Sequence, residues 1–315
     1  MSLLDAKPVY KPFAYPWCFE AWQTQQKVHW LPEEVPLADD VKDWHNKLNE
    51  TERHLMTQIF RFVTQADIEV NNCYMKHYAS VFKPTEVQMM LAAFSNTETI
   101  HIAAYSYLLD TIGMPEDIYS AFLQYKEMKD KYDYMQEFGT GSKSDIAKTL
   151  AVFGAFTEGL QLFASFAILL NFPRFNKMKG MGQIVTWSVR DESLHCASVI
   201  KLFRTFVSEN PEIWTEAFQR DLYKACETIV THEDAFVDLA FELGAVEGLT
   251  SADIKSYIRF IADRRLSQLG LQPIYRIEEH PLPWLDTVEH ANFFENRSTE
   301  YSRAATEGTW DEAFD

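Results

Sequence analysis

Apolar residues recur at helical spacing along most of the chain from Asp39 onward, with polar residues filling the positions between them. The period predicts helices near 39–47, 50–82, 84–111, 115–137, 144–171, 176–207, 211–243 and 251–270. Pro84 and Pro211 fall where a helix should begin, and Asn171-Phe-Pro173 should end another. Ser142 or Ser144 would cap the helix that follows them. Glycine is scarce, 11 in 315 residues, and long runs lack proline, so the fold class is all-α rather than turn-rich β.

The two ends break the pattern. Pro8, Pro12, Pro16, Pro32 and Pro36 predict an irregular arm over 1–36 with no long helix. Its many aromatics, Trp17, Trp22 and Trp30 among them, should pack on the body. The helical domain then spans 37–273. From 274 to 315 the chain reads as an irregular tail, with His280-Pro-Leu-Pro283 as a rigid spacer.

Within the helical stretches stand two copies of Glu-x-x-His, Glu98–His101 and Glu192–His195. Residues three apart share a helix face, so each tetrad projects a carboxylate and an imidazole in one direction. Asp67 and Glu158 stand on two further helices. Asp67 and Glu98 lie on either side of the reversal at Pro84, and Glu158 and Glu192 on either side of that near Pro173. At about 1.5 Å rise per residue, positions equally far from a turn meet at one level of an antiparallel pair. A single tetrad would read as a surface pair. Here both sit among apolar neighbours (Ile100, Ile102, Ala103; Leu194, Cys196, Ala197), where an unpaired carboxylate is costly and a cation is its natural partner. Four carboxylates and two imidazoles form the ligand set of a dinuclear site: Asp67, Glu98, His101, Glu158, Glu192 and His195. That set suits iron or manganese, and no thiolate selects zinc.

Tyr105, four residues after His101 and seven after Glu98, lies one turn further along the metal-facing side, with Leu162 and Phe166 as an apolar wall. A phenol there could hold a radical, or be an ordinary core tyrosine; spacing does not choose. His54, His77 and Tyr107 read as structural, and Glu69 as solvated.

Net charge is −17, which argues against a non-specific nucleic-acid binder. Cys18, Cys73, Cys196 and Cys226 are scattered, which suits a reducing compartment. The start has no signal-peptide pattern, and the apolar run 160–172 is too short to span a bilayer. These features predict a soluble, cytoplasmic protein.

Taken together, the motifs resemble the small (β) subunit of class I ribonucleotide reductase over nearly the whole chain. Asn96-Thr-Glu98-Thr-Ile-His101 with Tyr105 is similar to that family's ligand and tyrosyl-radical segment, and Arg190-Asp191-Glu192-Ser-Leu-His195 to its second ligand segment. His29-Trp30-Leu-Pro32-Glu33 resembles its electron-transfer motif, and Pro281-Leu-Pro283-Trp284 and Asn292-Phe-Phe-Glu295 are family-like. The resemblance implies a ferritin-like helical bundle whose metal pair reacts with dioxygen and oxidises Tyr105. The hole would pass by Trp30, which Asp191 links to a ligating imidazole, and then by a tail residue, Tyr301 or Trp310, to a cysteine of the large (α) subunit. That subunit would reduce ribonucleotides with a thioredoxin- or glutaredoxin-type reductant. The tail Ala304–Asp315 would dock there. The resemblance also implies a homodimer; it leaves open two iron, two manganese or a mixed pair, and whether a flavoprotein activase serves them. The sequence has no glycine-rich phosphate loop and no evident Cys nucleophile, in keeping with a subunit that makes the oxidant without touching substrate. Two other readings are a stand-alone di-metal oxidase of the same bundle and an iron-storage protein. Neither requires Trp30, Asp191 or an acidic docking tail.

Overall fold

Pro16 opens a twelve-residue helix, α1 (Pro16–Lys27), inside the arm for which the sequence predicts no long helix. At N1 the fixed φ of proline suits the helix and its missing N–H is not needed; no further proline follows until Pro32. The computed structural model describes residues 2–285. After α2 (Ala38–Asn46), α3 (Glu50–Asn72) starts from a reciprocal cap. Asn49 Oδ1 accepts from the Glu52 N–H at 2.9 Å, and Glu52 Oε2 accepts from the Asn49 N–H at 3.1 Å. The helix widens to π winding over Cys73–Tyr78 before Pro84 turns the chain into α4 (Thr85–Ile112). Gly113, at φ 79°, ends α4 in the left-handed conformation that glycine adopts without strain.

The predicted helix 115–137 is broken. Ile118–Ala121 and Phe122–Gln124 form short turns before α5 (Lys126–Met135). Ser142, of the two candidate serines, caps α6 (Lys143–Leu150), its Oγ accepting from the Asp145 N–H at 3.1 Å. From there helical winding continues through a π segment, Ala151–Gln161, into α7 (Leu162–Arg174). Lys143–Arg174 is long and apolar enough to cross a membrane, but its apolar window is entirely buried in the bundle. Then come α8 (Lys179–Glu209), α9 (Glu216–Ala240) and α10 (Ser251–Leu269).

Four helical rods make the centre: α3, α4, the α6–α7 rod and α8. α1 lies along α4, while α9 and α10 cover the π segment from outside. This is the all-helical, ferritin-like bundle that the sequence predicts. All eleven residues of the π segment are buried, and two glycines let neighbours approach it. A Cβ at Gly154 would lie 2.3 Å from Val199 Cγ1 on α8. One at Gly159 would meet Arg265 Nε and Cys196 Sγ at 2.6 Å. The space at Gly159 admits the Arg265 guanidinium, whose Nε donates to the Gly159 carbonyl at 2.7 Å. Leu282 and Leu285, at the end of the described chain, are buried against the body.

Candidate metal centre

The rods bring Asp67 (α3), Glu98 and His101 (α4), Glu158 (π segment), and Glu192 and His195 (α8) to one level of the core, all buried. Donor atoms of Asp67, Glu98 and His101 lie within 4.8 Å of one another, as do those of Glu98, Glu158, Glu192 and His195. Glu98 belongs to both groups. His195 Nδ1 is 3.0 Å from Glu98 Oε1, and His101 Nδ1 is 3.5 Å from Glu98 Oε2. Glu192 does the same from the other side: Oε1 is 3.2 Å from His101 Nδ1 and Oε2 is 3.7 Å from His195 Nδ1. Each of these carboxylates therefore spans both imidazoles, one oxygen to each, while Asp67 and Glu158 sit at opposite ends.

Both imidazoles turn Nδ1 inward because Nε2 is engaged outside. His101 Nε2 is 3.3 Å from Asp191 Oδ2, and His195 Nε2 is 3.2 Å from Gln25 Oε1. Trp30 Nε1 donates to the same Asp191 oxygen at 2.8 Å, and Gln25 Nε2 donates to Asp191 Oδ1 at 3.3 Å. Arg190 Nη2 adds a contact of 3.3 Å to Oδ1 and reaches the Val28 carbonyl at 2.7 Å. The Trp30 ring packs on Trp187, with centroids 5.1 Å apart.

Burial pushes Asp67 and Glu158 well above the usual carboxylate range. Burial works the same way on Glu98, but contacts with His101 and His195 outweigh it and hold Glu98 low. The His195 imidazole, which burial alone would lower, is pushed up to about 10 by Glu192 and Glu98. Even so, both oxygens of Glu98 and of Glu192, Asp67 Oδ2 and His195 Nδ1 are buried without a hydrogen-bond partner among the described residues. His195 Nδ1 is close to Glu98 but not aligned for such a bond. Buried polar atoms are rarely left so, and six inward donors of carboxylate and imidazole type fit a pair of cations. The buried Glu/His cluster is consistent with a dinuclear metal site.

Tyr105 is fully buried, and its hydroxyl makes no hydrogen bond to any ligand candidate among the described residues. Burial, reinforced by the Asp67 charge, pushes its phenol above the ordinary value. On the opposite side a second phenol, Tyr74, donates to Glu158 Oε1 at 2.6 Å. Burial and the Glu158 charge keep that phenol protonated. Sequence reasoning passed over Tyr74, although it stands seven residues after Asp67 and hence on the same face. It passed over Gln25 because the arm shows no helical face. Glu69, expected to be solvated, is buried and accepts from Gln65 Nε2 (3.0 Å) and Gln136 Nε2 (2.6 Å), because α5 covers that side of α3. His54 is satisfied by Glu242, 3.0 Å away. Tyr301, Trp310 and the Asn292–Glu295 motif lie outside the described residues.

A sequence profile described as "Ribonucleotide reductase, small chain" matches residues 7–281. The chain belongs to this family. It is 45% identical to the probable ribonucleoside-diphosphate reductase small subunit of Invertebrate iridescent virus 6, over 99% of this chain and 98% of that protein. It is 31% identical to the ribonucleoside-diphosphate reductase subunit beta of Chlamydia pneumoniae, over 93% of this chain and 89% of that one. Among solved structures, the ribonucleotide reductase R2 subunit from Clostridium botulinum has the same fold. Its TM-score is 0.85 at 22% identity, covering 91% of this chain and 94% of that one. The function is that of a ribonucleoside-diphosphate reductase small subunit, which works in association with a large subunit.

Proposed function

We propose that Asp67, Glu98, His101, Glu158, Glu192 and His195 hold two metal ions, iron in the first instance, and that Tyr105 carries the radical. The observation that carries this reading is the pair of inward Nδ1 atoms spanned on both sides by Glu98 and Glu192, whose oxygens have no hydrogen-bond donor among the described residues. Two manganese ions or a mixed pair suit the same donors. When bound, the metals supply the oxidising equivalent by reaction with dioxygen.

The protein groups then have separate tasks. Glu98 and Glu192 fix the separation of the two positions, and Asp191 and Gln25 hold the imidazole orientations from behind. Tyr105, in a dry setting, would give up one electron to the oxidised metal pair and its phenolic proton towards Asp67, the carboxylate whose charge acts on it most strongly, and would keep the resulting radical from solvent. Trp30, bonded to Asp191 and through it to His101, passes the hole outward. Tyr301 hands it on, and the segment 304–315 docks on the large subunit. The reading includes a homodimer, in keeping with family membership. It also includes a cytoplasmic setting, which the four free buried thiols suit.

The test is metal content and electron paramagnetic resonance on protein purified from metal-replete cells and exposed to air. About two metals per chain with a tyrosyl signal are expected, the number this ligand set can hold. Glu98→Ala or His195→Ala should lose at least one metal, and full occupancy in both would sink the assignment. Tyr105→Phe should keep both metals and lose the signal; persistence would move the radical elsewhere.

A further inference from the structure

We infer that Tyr74 is a positioning residue for the half of the centre formed by Glu98, Glu158, Glu192 and His195, its phenol fixing the orientation of the Glu158 carboxylate. The inference rests on the metal reading above. Glu98 and Glu192 are each braced between two imidazoles. Glu158 has no such bracing, since its nearest imidazole contact is His195 Nδ1 at 3.8 Å. It also stands, fully buried, on the π-wound segment. Tyr74 braces it instead. Its hydroxyl donates at 2.6 Å to Oε1, the oxygen that makes the His195 contact.

The donor is itself fixed. The Tyr74 ring meets Tyr78, Phe94 and His195 edge to face, with centroids at 5.6, 6.1 and 6.2 Å. Three such contacts hold the ring, so the O–H points at Glu158 before any ligand arrives. A phenolic donor on one carboxylate oxygen limits how the group can rotate or chelate. It thereby selects the way Glu158 presents itself to a cation. The two ends of the centre are therefore unlike: Tyr74 is committed to Glu158, whereas Tyr105, near Asp67, makes no hydrogen bond to any of the ligand candidates among the described residues.

The test uses the full chain stripped of metal and titrated with Mn(II), reading free Mn(II) by electron paramagnetic resonance. Tyr74→Phe keeps the ring and removes the donor. It should weaken one of the two Mn(II) positions about tenfold, the usual cost of losing a partner behind a ligand. The other position should be unchanged, as should thermal melting of the stripped protein. Incorporating 3-fluorotyrosine in place of Tyr74, which keeps the O–H, should restore wild-type binding. Wild-type affinity at both positions in Tyr74→Phe would overturn the inference. So would equal weakening of both together with a lowered melting point, which marks a merely structural role. A wild-type chain that takes up no Mn(II) would instead overturn the metal reading itself.

Discussion

Lys131 and Glu233 show at the level of single residues how differently this core treats its charges. Both side chains are fully buried, and Lys131 Nζ lies 2.5 Å from Glu233 Oε1. It also sits 3.4 and 4.2 Å from the ring centroids of Phe62 and Phe236. Burial pushes the lysine down and the glutamate up, and each partner offsets the shift of the other. In the buried Glu/His cluster the carboxylates outnumber the cations the protein provides; here the charges match and no further ion is called for. The pair should therefore behave as a buried salt bridge. Glu233→Ala strands the ammonium and should cost about 3–5 kcal/mol in urea denaturation. Replacing both groups with apolar side chains, Lys131→Met with Glu233→Leu, should be close to neutral or stabilising by about 1–4 kcal/mol. A double variant as unstable as the single one would show that the pair holds the fold through something other than charge matching.

Among the elements, the π segment Ala151–Gln161 was the least legible. A period of about 3.6 residues identifies helices but cannot register a local widening, because the same apolar residues line either winding. The long rods, their reversal at Pro84 and the common level within each pair, Asp67 with Glu98 and Glu158 with Glu192, followed from periodicity and rise; that the two pairs face each other did not. The helix within the arm did not, because prolines at 16 and 32 bound a helix as readily as they exclude one. Gly154 and Gly159 were silent in sequence as well, since their meaning lies in what α8 and α10 bring against them. Gly154 offers a test at this scale. An added Cβ would sit 2.3 Å from Val199 Cγ1 and 2.7 Å from its Cβ, so Gly154→Ala must push α8 outward or twist a valine off its rotamer. Overpacking of this kind costs about 1–3 kcal/mol. Thermal melting should fall, and metal uptake should weaken with it, because α8 carries Glu192 and His195. Pairing Gly154→Ala with Val199→Ala should recover most of both losses. An unchanged melting point in the single variant would mean that the two rods yield without cost.

At the scale of the whole molecule, the hydrogen-bonded route from His101 through Asp191 to Trp30 lies buried within the described body. On the proposed reading, a radical passed by this route would serve the large subunit only if something carried both the contact and the charge across. The thirty residues beyond Leu285 hold Tyr301 and Trp310, and eight acidic side chains against two basic ones. A segment with that charge would be drawn to a basic surface on the large subunit. Docking and stability should therefore separate. Ending the chain at Arg303 should leave metal content, tyrosyl signal and melting temperature as in the full chain, while reductase activity with the large subunit falls to background. A peptide of residues 304–315 should inhibit the full-length pair by competition, with an apparent affinity that weakens as salt rises, because screening shortens the reach of its charges. Tyr301→Phe should keep the docking affinity but not the turnover, since it removes an oxidisable group and leaves the acidic segment intact. If the shortened chain supports full activity, docking lies on the helical body, and the acidic tail has no part in assembly.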